Sequence, residues 1–124
     1  MAPLRGAHIL VVDDDPDTLE VECAVLEQQG CKLDCVENVD AALAALEKHP
    51  VDLVITDVNM PRMDGITLVS ELRQLPAYRL TPVLLLTTES SMDKKMEGKK
   101  AGATGWIVKP FNPAQLLATL SRVL

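Results

Sequence analysis

The chain has 124 residues, 18 Asp and Glu against 12 Lys and Arg, a net charge of −6 and 48% hydrophobic residues. This length and composition predict one globular domain over residues 1–124, which we expect to be a monomer. No apolar run approaches the roughly 20 residues that span a bilayer, and the chain start does not resemble a secretion signal. We therefore expect a cytoplasmic location without membrane contact. An acidic chain with 2% aromatic residues is also a poor candidate for direct nucleic-acid binding.

Charge is unevenly distributed along the chain. Residues 1–60 hold 13 acidic and 3 basic side chains, whereas residues 61–124 hold 5 acidic and 9 basic ones. Four of the basic residues fall in one short segment: Lys94, Lys95, Lys99 and Lys100. A charge run on a helix is usually a solvated face, so this segment is either ordinary surface or a docking surface for an acidic partner.

The three cysteines are Cys23, Cys31 and Cys35. They are odd in number and lack the spacing of a metal site or a redox CxxC motif. In a cytoplasmic protein this favours reduced thiols packed in the core over a disulfide.

Apolar runs alternate with segments of helical period along the chain, which indicates an α/β domain. Strands are predicted at residues 8–12, 31–35, 51–57, 82–87 and 105–109. Helices are predicted from Pro16 to a stop at Gly30, at 39–48, 65–75 and 91–101, and at the end of the chain around Leu116, Leu120 and Val123.

Local patterns refine several of these elements. Asp15 is a predicted N-cap for the first helix, and Pro16 suits its first position. The runs at 51–57 and 82–87 are almost continuously apolar, which is typical of parallel strands covered on both faces. The alternation over 31–35 indicates an edge strand. Met92 and Met96, one helical turn apart, favour packing into the core.

Polar residues stand where the apolar strands end. Asp13 and Asp14 follow the first strand, and Asp57, Thr87 and Lys109 end the third, fourth and fifth. Parallel strands joined by right-handed crossovers place these ends at one edge, where ligands bind. Separately, an Asp pair is typical of a turn into a capped helix and a lysine before proline is typical of surface. Together they predict a site, because neighbouring carboxylates are costly unless a cation joins them.

Magnesium is the cation that this donor set favours, since it prefers carboxylates, water and phosphate oxygens. A carboxylate can act as nucleophile towards a phosphoryl group, while an ammonium and a hydroxyl contact its oxygens. The strand ends therefore predict phosphoryl-transfer chemistry.

Five separated motifs occur in order along the chain and carry a family resemblance. They are Val11-Val12-Asp13-Asp14, Thr56-Asp57 with Met60-Pro61 and Met63-Asp64-Gly65, Leu86-Thr87-Thr88-Glu89, Ala101-Gly102-Ala103, and Lys109-Pro110-Phe111. Together they resemble the receiver domain of two-component response regulators over essentially the whole chain. Residues 82–111 resemble stand-alone chemotaxis receivers in particular.

The resemblance implies a flavodoxin-like fold, a doubly wound parallel sheet of order 2-1-3-4-5 with five helices. It implies that Asp57 accepts a phosphoryl group from a histidine kinase. Mg²⁺ would be bound by Asp14, Asp57 and the backbone carbonyl of Asn59, with Asp13 acting through water. Thr87 would contact a phosphoryl oxygen and Lys109 would pair with it.

The resemblance also implies a switch that couples Thr87 to the aromatic residue of the fifth strand, here Trp106. Asn59 and Glu89 would flank the phosphoryl group and tune its hydrolysis. The peptide bond between Lys109 and Pro110 would be cis.

The predicted function is that of a signalling protein that catalyses only its own phosphorylation and dephosphorylation. Without an output domain, it would signal by protein contact through a face carrying Trp106 and the four lysines at positions 94, 95, 99 and 100. A flagellar motor switch protein or a phosphatase is the expected partner, which would place the chain in chemotaxis. A phosphorelay intermediate or phosphate sink is the alternative.

Two other classes of protein are alternatives. A haloacid-dehalogenase-like phosphatase also uses a strand-end aspartate, but needs a second acid two residues later, where Asp57-Val58-Asn59 has an amide. A scaffold that does not depend on phosphorylation would leave the polar set at the strand ends without a purpose.

Overall fold

The computed structural model describes residues 6–48, 50–58, 65–88, 92–109 and 112–123. For residues 65, 88, 92–95, 98 and 109 it describes the backbone only. The strands are β1 His8–Val12, β2 Lys32–Val36, β3 Leu53–Asp57, β4 Val83–Thr88 and β5 Gly105–Lys109. The helices are α1 Pro16–Glu27, α2 Val39–Lys48, α3 Gly65–Gln74, α4 Met92–Ala101 and α5 Pro113–Val123.

All ten predicted elements are present, and a short 3₁₀ turn at Pro76–Tyr78 was not predicted. In the part of the chain that is described, no helix is both long and apolar enough to cross a membrane.

The five strands form one parallel sheet of order β2-β1-β3-β4-β5, which confirms the predicted topology. Alternate residues of β1 enter two separate cores: Leu10 and Val12 pack with α2 and α3 on one face of the sheet. Ile9 and Val11 pack with α1 and α5 on the other face. Strands β3 and β4 also contribute residues to both cores, so the prediction that these nearly continuous apolar runs are covered on both faces is confirmed.

The start of α1 follows the predicted capping chemistry. The Asp15 carboxylate accepts hydrogen bonds from the Asp17 backbone N–H at 3.2 Å and from the Thr18 hydroxyl at 2.7 Å. Pro16 occupies the first turn, where its missing N–H costs nothing. Gly30 follows the helix with a φ of 83°, a conformation that glycine adopts without steric penalty. The cap thus fixes the point at which α1 begins after β1.

The prediction of reduced thiols was wrong for two of the three cysteines. Cys23 on α1 and Cys35 on β2 form a disulfide, with Cα atoms 6.8 Å apart. No local pattern indicates this pair, because the two residues become neighbours only when α1 packs back over the edge strand. Cys31 lies just before β2, is buried and is outside the disulfide, and burial raises the pKa of its thiol.

Few of the described side chains of helix α4 are apolar and packed against the rest of the fold. Met96 is 56% exposed, so the prediction that it packs into the core was wrong, and the side chain of Met92 lies outside the described part. The chain just after α4 is held instead by Arg73 of α3. Its guanidinium donates to the Gly102 carbonyl at 3.1 and 2.9 Å, to the Tyr78 carbonyl at 2.8 Å and to the Thr81 carbonyl at 2.7 Å. No local sequence pattern indicates these contacts of Arg73.

Candidate metal centre

The strand register brings two of the predicted acids to the same level. Val12 of β1 pairs with Thr56 of β3, so the next residues along each chain, Asp13 and Asp57, lie side by side at the carboxyl edge. Asp14 follows at the same edge. The sheet therefore delivers all three carboxylates to one place, as predicted.

The three carboxylates form a tight group. Oxygen atoms of Asp13, Asp14 and Asp57 all lie within 4.8 Å of one another. Asp13 is completely buried and Asp57 is 6% exposed, whereas Asp14 is half-buried and opens the group to solvent. Two buried negative charges this close are unfavourable without a compensating cation.

Hydrogen bonds hold Asp13 at both its backbone and its side chain. Its backbone N–H donates to the Val36 carbonyl at the end of β2, at 3.1 Å. Its Oδ1 accepts from the backbone N–H of Asp15, the cap of α1, at 3.0 Å. The position of this carboxylate thus depends on both β2 and the start of α1.

Asp57 is fixed mainly by its place in β3, which is buried along its whole length. The Thr56 hydroxyl donates to the Asp57 carbonyl at 3.1 Å. The Val58 N–H then donates to the Leu86 carbonyl of β4 at 3.0 Å, which continues the pairing beyond the strand. Hydrogen-bonded backbone on both sides of Asp57 therefore holds this residue in place.

This donor set fits a hard divalent cation. All the contacting groups are carboxylate oxygens, one of the three acids opens to solvent, and Mg²⁺ characteristically takes one or two carboxylates and keeps several waters. The described residues thus fit magnesium, whereas the predicted ligand at Asn59 lies outside them.

Thr87 lies on the strand next to Asp57. Leu86 of β4 pairs with Asp57, so Thr87 is one residue beyond that level, and its side chain is fully buried. Thr87 in turn pairs with Val108, the residue before Lys109. The backbone therefore places Thr87 and Lys109 at the same edge as the acids, although the Lys109 side chain is outside the described part.

Trp106 lies on β5 two residues before Val108, the partner of Thr87. Side chains two residues apart on a strand share a face, so Trp106 and Thr87 are on the same side of the sheet. Trp106 is 41% exposed.

The other predicted site residues are described in part. Lys99 and Lys100 are exposed near the end of α4, and Lys94 and Lys95 lie on the same helix with only their backbone described. Glu89 and Pro110 lie outside the described residues.

The profile of the response regulator receiver domain family matches residues 9–121. The chain belongs to this family. Its fold matches that of the chemotaxis response regulator CheY4 of Vibrio cholerae with a TM-score of 0.90 and 45% identity, covering 96% of this chain and 99% of that one.

Two further relatives are informative. The receiver domain of sensor histidine kinase PA1611 from Pseudomonas aeruginosa, whose structure holds a magnesium ion coordinated in the active site cleft, matches with a TM-score of 0.86 and 28% identity over 94% of this chain and 96% of that one. The phosphate regulon transcriptional regulatory protein PhoB of Escherichia coli is 34% identical over 117 residues. Those residues are 94% of this chain and 51% of PhoB, so the chain spans about half of that relative.

Proposed function

We propose that this chain is a response regulator that accepts a phosphoryl group on Asp57 from a histidine kinase and passes the signal on by protein contact in the cytoplasm. The observation that carries the proposal is the group of three carboxylates within 4.8 Å at the carboxyl edge of the sheet, with Thr87 on the adjacent strand. The magnesium ion in the PA1611 receiver supports the same metal here.

In the proposed reaction, a carboxylate oxygen of Asp57 attacks the phosphorus of a phosphohistidine. The new O–P bond forms as the P–N bond breaks, and its electron pair stays on the imidazole of the kinase. Bound magnesium supplies positive charge that offsets the charge on the transferring phosphoryl oxygens. Asp14, Asp57 and the backbone carbonyl of Asn59 would hold it, with Asp13 acting through water.

Two further residues are proposed to contact the phosphoryl group. The Thr87 hydroxyl donates a hydrogen bond to one of its oxygens, and the Lys109 ammonium pairs with another. Both contacts exist only in the phosphorylated state, so they can shift the conformational equilibrium of the β4 and β5 strand ends. Trp106, on the same face of the sheet as Thr87, is the proposed reporter of that shift, and Asn59 and Glu89 are proposed to set the rate of hydrolysis.

The test is intact-mass spectrometry after incubation with Mg²⁺ and an acyl phosphate, with the fluorescence of Trp106, the only tryptophan, followed in parallel. Wild type should gain one phosphoryl group, and Asp57→Asn should gain none because it lacks the nucleophilic oxygen. Metal chelation should also abolish the adduct. Glu47→Gln, an exposed acid on α2, is the matched control and should be phosphorylated normally.

No adduct on wild type under rapid quenching would overturn the proposal and favour a scaffold that does not depend on phosphorylation. An adduct without a fluorescence change would keep the chemistry and remove Trp106 from the switch.

We further propose that the output surface comprises Lys94, Lys95, Lys99, Lys100 and Trp106, and that its partner is a flagellar motor switch protein. The exposure of Trp106, Lys99 and Lys100 and the similarity to CheY4 support this assignment. The surface is basic in a chain of net charge −6, so an acidic segment would be attracted to it selectively.

Reversal of all four lysines to Glu should weaken binding of a purified motor switch protein about 10–100-fold at low salt, because several attractive charge pairs become repulsive. Fluorescence anisotropy of the labelled partner measures the affinity. Unchanged affinity would remove this surface from the proposal and favour a phosphorelay or phosphate-sink role.

A further inference from the structure

We propose that the Cys23–Cys35 disulfide is a reversible redox clamp on the metal centre: its reduction loosens β2 from α1 and weakens the hold on Asp13. The cation-affinity part of this inference rests on the proposed magnesium site. The mechanical part, which concerns the backbone of Asp13, does not.

The disulfide joins the two elements that position Asp13. Cys35 is the residue before Val36, whose carbonyl accepts the Asp13 N–H at 3.1 Å. Cys23 lies on α1, whose cap Asp15 donates its backbone N–H to the Asp13 carboxylate at 3.0 Å. These two hydrogen bonds of Asp13 therefore involve the two elements that the disulfide joins.

Strand β2 has fewer restraints than the inner strands, although Leu33 and Val36 pack against the two cores. It is an edge strand of five residues that pairs only with β1, and none of its residues is buried. A hydrogen bond between His8 Nε2 and Asp34 Oδ2 at 2.8 Å is a described side-chain contact between β2 and β1. Edge segments with few buried contacts open most readily, so a covalent link has a large effect there.

The disulfide is also placed where a reductant can reach it. Cys35 is exposed and Cys23 is half-buried. Disulfides in reducing compartments are characteristically transient or sensing rather than structural. Buried Cys31 is a poor competitor for exchange, because burial raises the pKa of its thiol and lowers its thiolate fraction.

The proposed reductant is a dithiol. One of its thiolates attacks Cys35 Sγ, the S–S bond breaks, and Cys23 leaves as a thiolate. The second thiolate of the reductant then displaces Cys35 from the mixed disulfide. Two electrons pass to the protein sulfurs, which take up two protons to become thiols, and the reductant becomes a cyclic disulfide.

The experiment compares the full chain in glutathione disulfide and in dithiothreitol. Alkylation in denaturant followed by intact mass should label Cys31 alone in the oxidised protein and all three cysteines after reduction. Hydrogen exchange of the Asp13 amide and of the β2 amides, measured by NMR without metal, should speed up about tenfold on reduction. The Mg²⁺ dissociation constant, read from Trp106 fluorescence, should rise about three- to tenfold.

Cys31→Ala is the matched control, since it removes a cysteine and keeps the disulfide; it should respond to reduction like wild type. Cys23→Ala/Cys35→Ala should show the reduced behaviour under both conditions. Should that variant not fold, wild type in dithiothreitol tests the same state.

Three alkylated thiols under oxidising conditions would overturn the clamp, as would Asp13 exchange that does not change on reduction. If exchange responds while Mg²⁺ binds in neither redox state, the magnesium site fails and the mechanical clamp stands. If both redox states bind Mg²⁺ equally while exchange responds, the clamp does not regulate the metal centre, and the proposal is wrong.

Discussion

Arg73 shows how one side chain can hold several segments together. Its guanidinium contacts carbonyls of residues 78, 81 and 102, which lie in the 3₁₀ turn, before β4 and after α4. Burial lowers the pKa of Arg73, yet a guanidinium stays charged because its pKa begins so high. Gly102 has a φ of 111° and a Cβ there would lie 3.1 Å from the Arg73 side chain, so glycine suits this contact.

Arg73→Ala should lower the free energy of unfolding by about 2–4 kcal/mol, because it removes charge-assisted hydrogen bonds and leaves partly buried carbonyls without their donor. Urea denaturation measures the change. Arg79→Ala, at an exposed arginine a few residues away, is the control and should stay within about 0.5 kcal/mol of wild type. Equal losses in the two variants would show that the hydrogen bonds of Arg73 contribute little.

At the scale of elements, α3 and α4 differ in how they are stabilised. Leu68, Val69 and Leu72 of α3 are fully buried, whereas the described side chains of α4 before its last residue are exposed. Helix α4 also contains Gly98, which lowers helix propensity. The helix that carries the proposed output surface is therefore the one with the weakest apolar anchorage.

The backbone amides of α4 should exchange with solvent on the order of 100-fold faster than those of α3, because helical stability in proteins comes mainly from tertiary packing. Hydrogen exchange followed by NMR measures both helices in one sample, so α3 serves as the internal control. Similar protection in the two helices would mean that the contact of Arg73 with the chain just after α4 is enough to keep α4 folded. Remodelling of this helix would then be an unfavourable route for the signal.

The helices and strands were predictable wherever all the local sequence patterns indicated the same boundaries. Strand β5 and helix α2 have their predicted ends, since apolar period and flanking residues agree. The turn at Pro76–Tyr78 was not predicted, because the buried Tyr78 hydroxyl donates to the Leu46 carbonyl across the fold at 2.9 Å, a contact without a local signature. Errors thus concentrate where distant residues decide the conformation.

For the molecule as a whole, the metal centre is a place where function costs stability. Three carboxylates within 4.8 Å repel one another in the metal-free protein. A cation that binds only the folded chain compensates this repulsion and raises the apparent stability.

Asp57→Asn should raise the free energy of unfolding by about 0.5–2 kcal/mol without metal, because it removes one of three close negative charges. Mg²⁺ at ten times its dissociation constant should stabilise wild type by about 1.4 kcal/mol and the variant by less. Thermal unfolding with and without Mg²⁺ measures both effects. Glu47→Gln changes the net charge by the same amount but lies on α2, so Mg²⁺ should stabilise it as much as wild type. If Glu47→Gln raised the free energy of unfolding as much as Asp57→Asn, the gain would come from overall charge and not from the metal centre.

Local pattern determines the succession of strands and helices along the chain, the cap of α1 and the residue types at the strand ends. These features follow because apolar period and turn chemistry act over a few residues. Those same strand ends also predicted magnesium chemistry, since parallel strands share one carboxyl edge. Three features depend on distant residues meeting: the approach of the three carboxylates, the Cys23–Cys35 bond and the contacts of Arg73. Sequence spacing carries no distance between such residues, and only the pairing of strands and the packing of helices on the sheet set it.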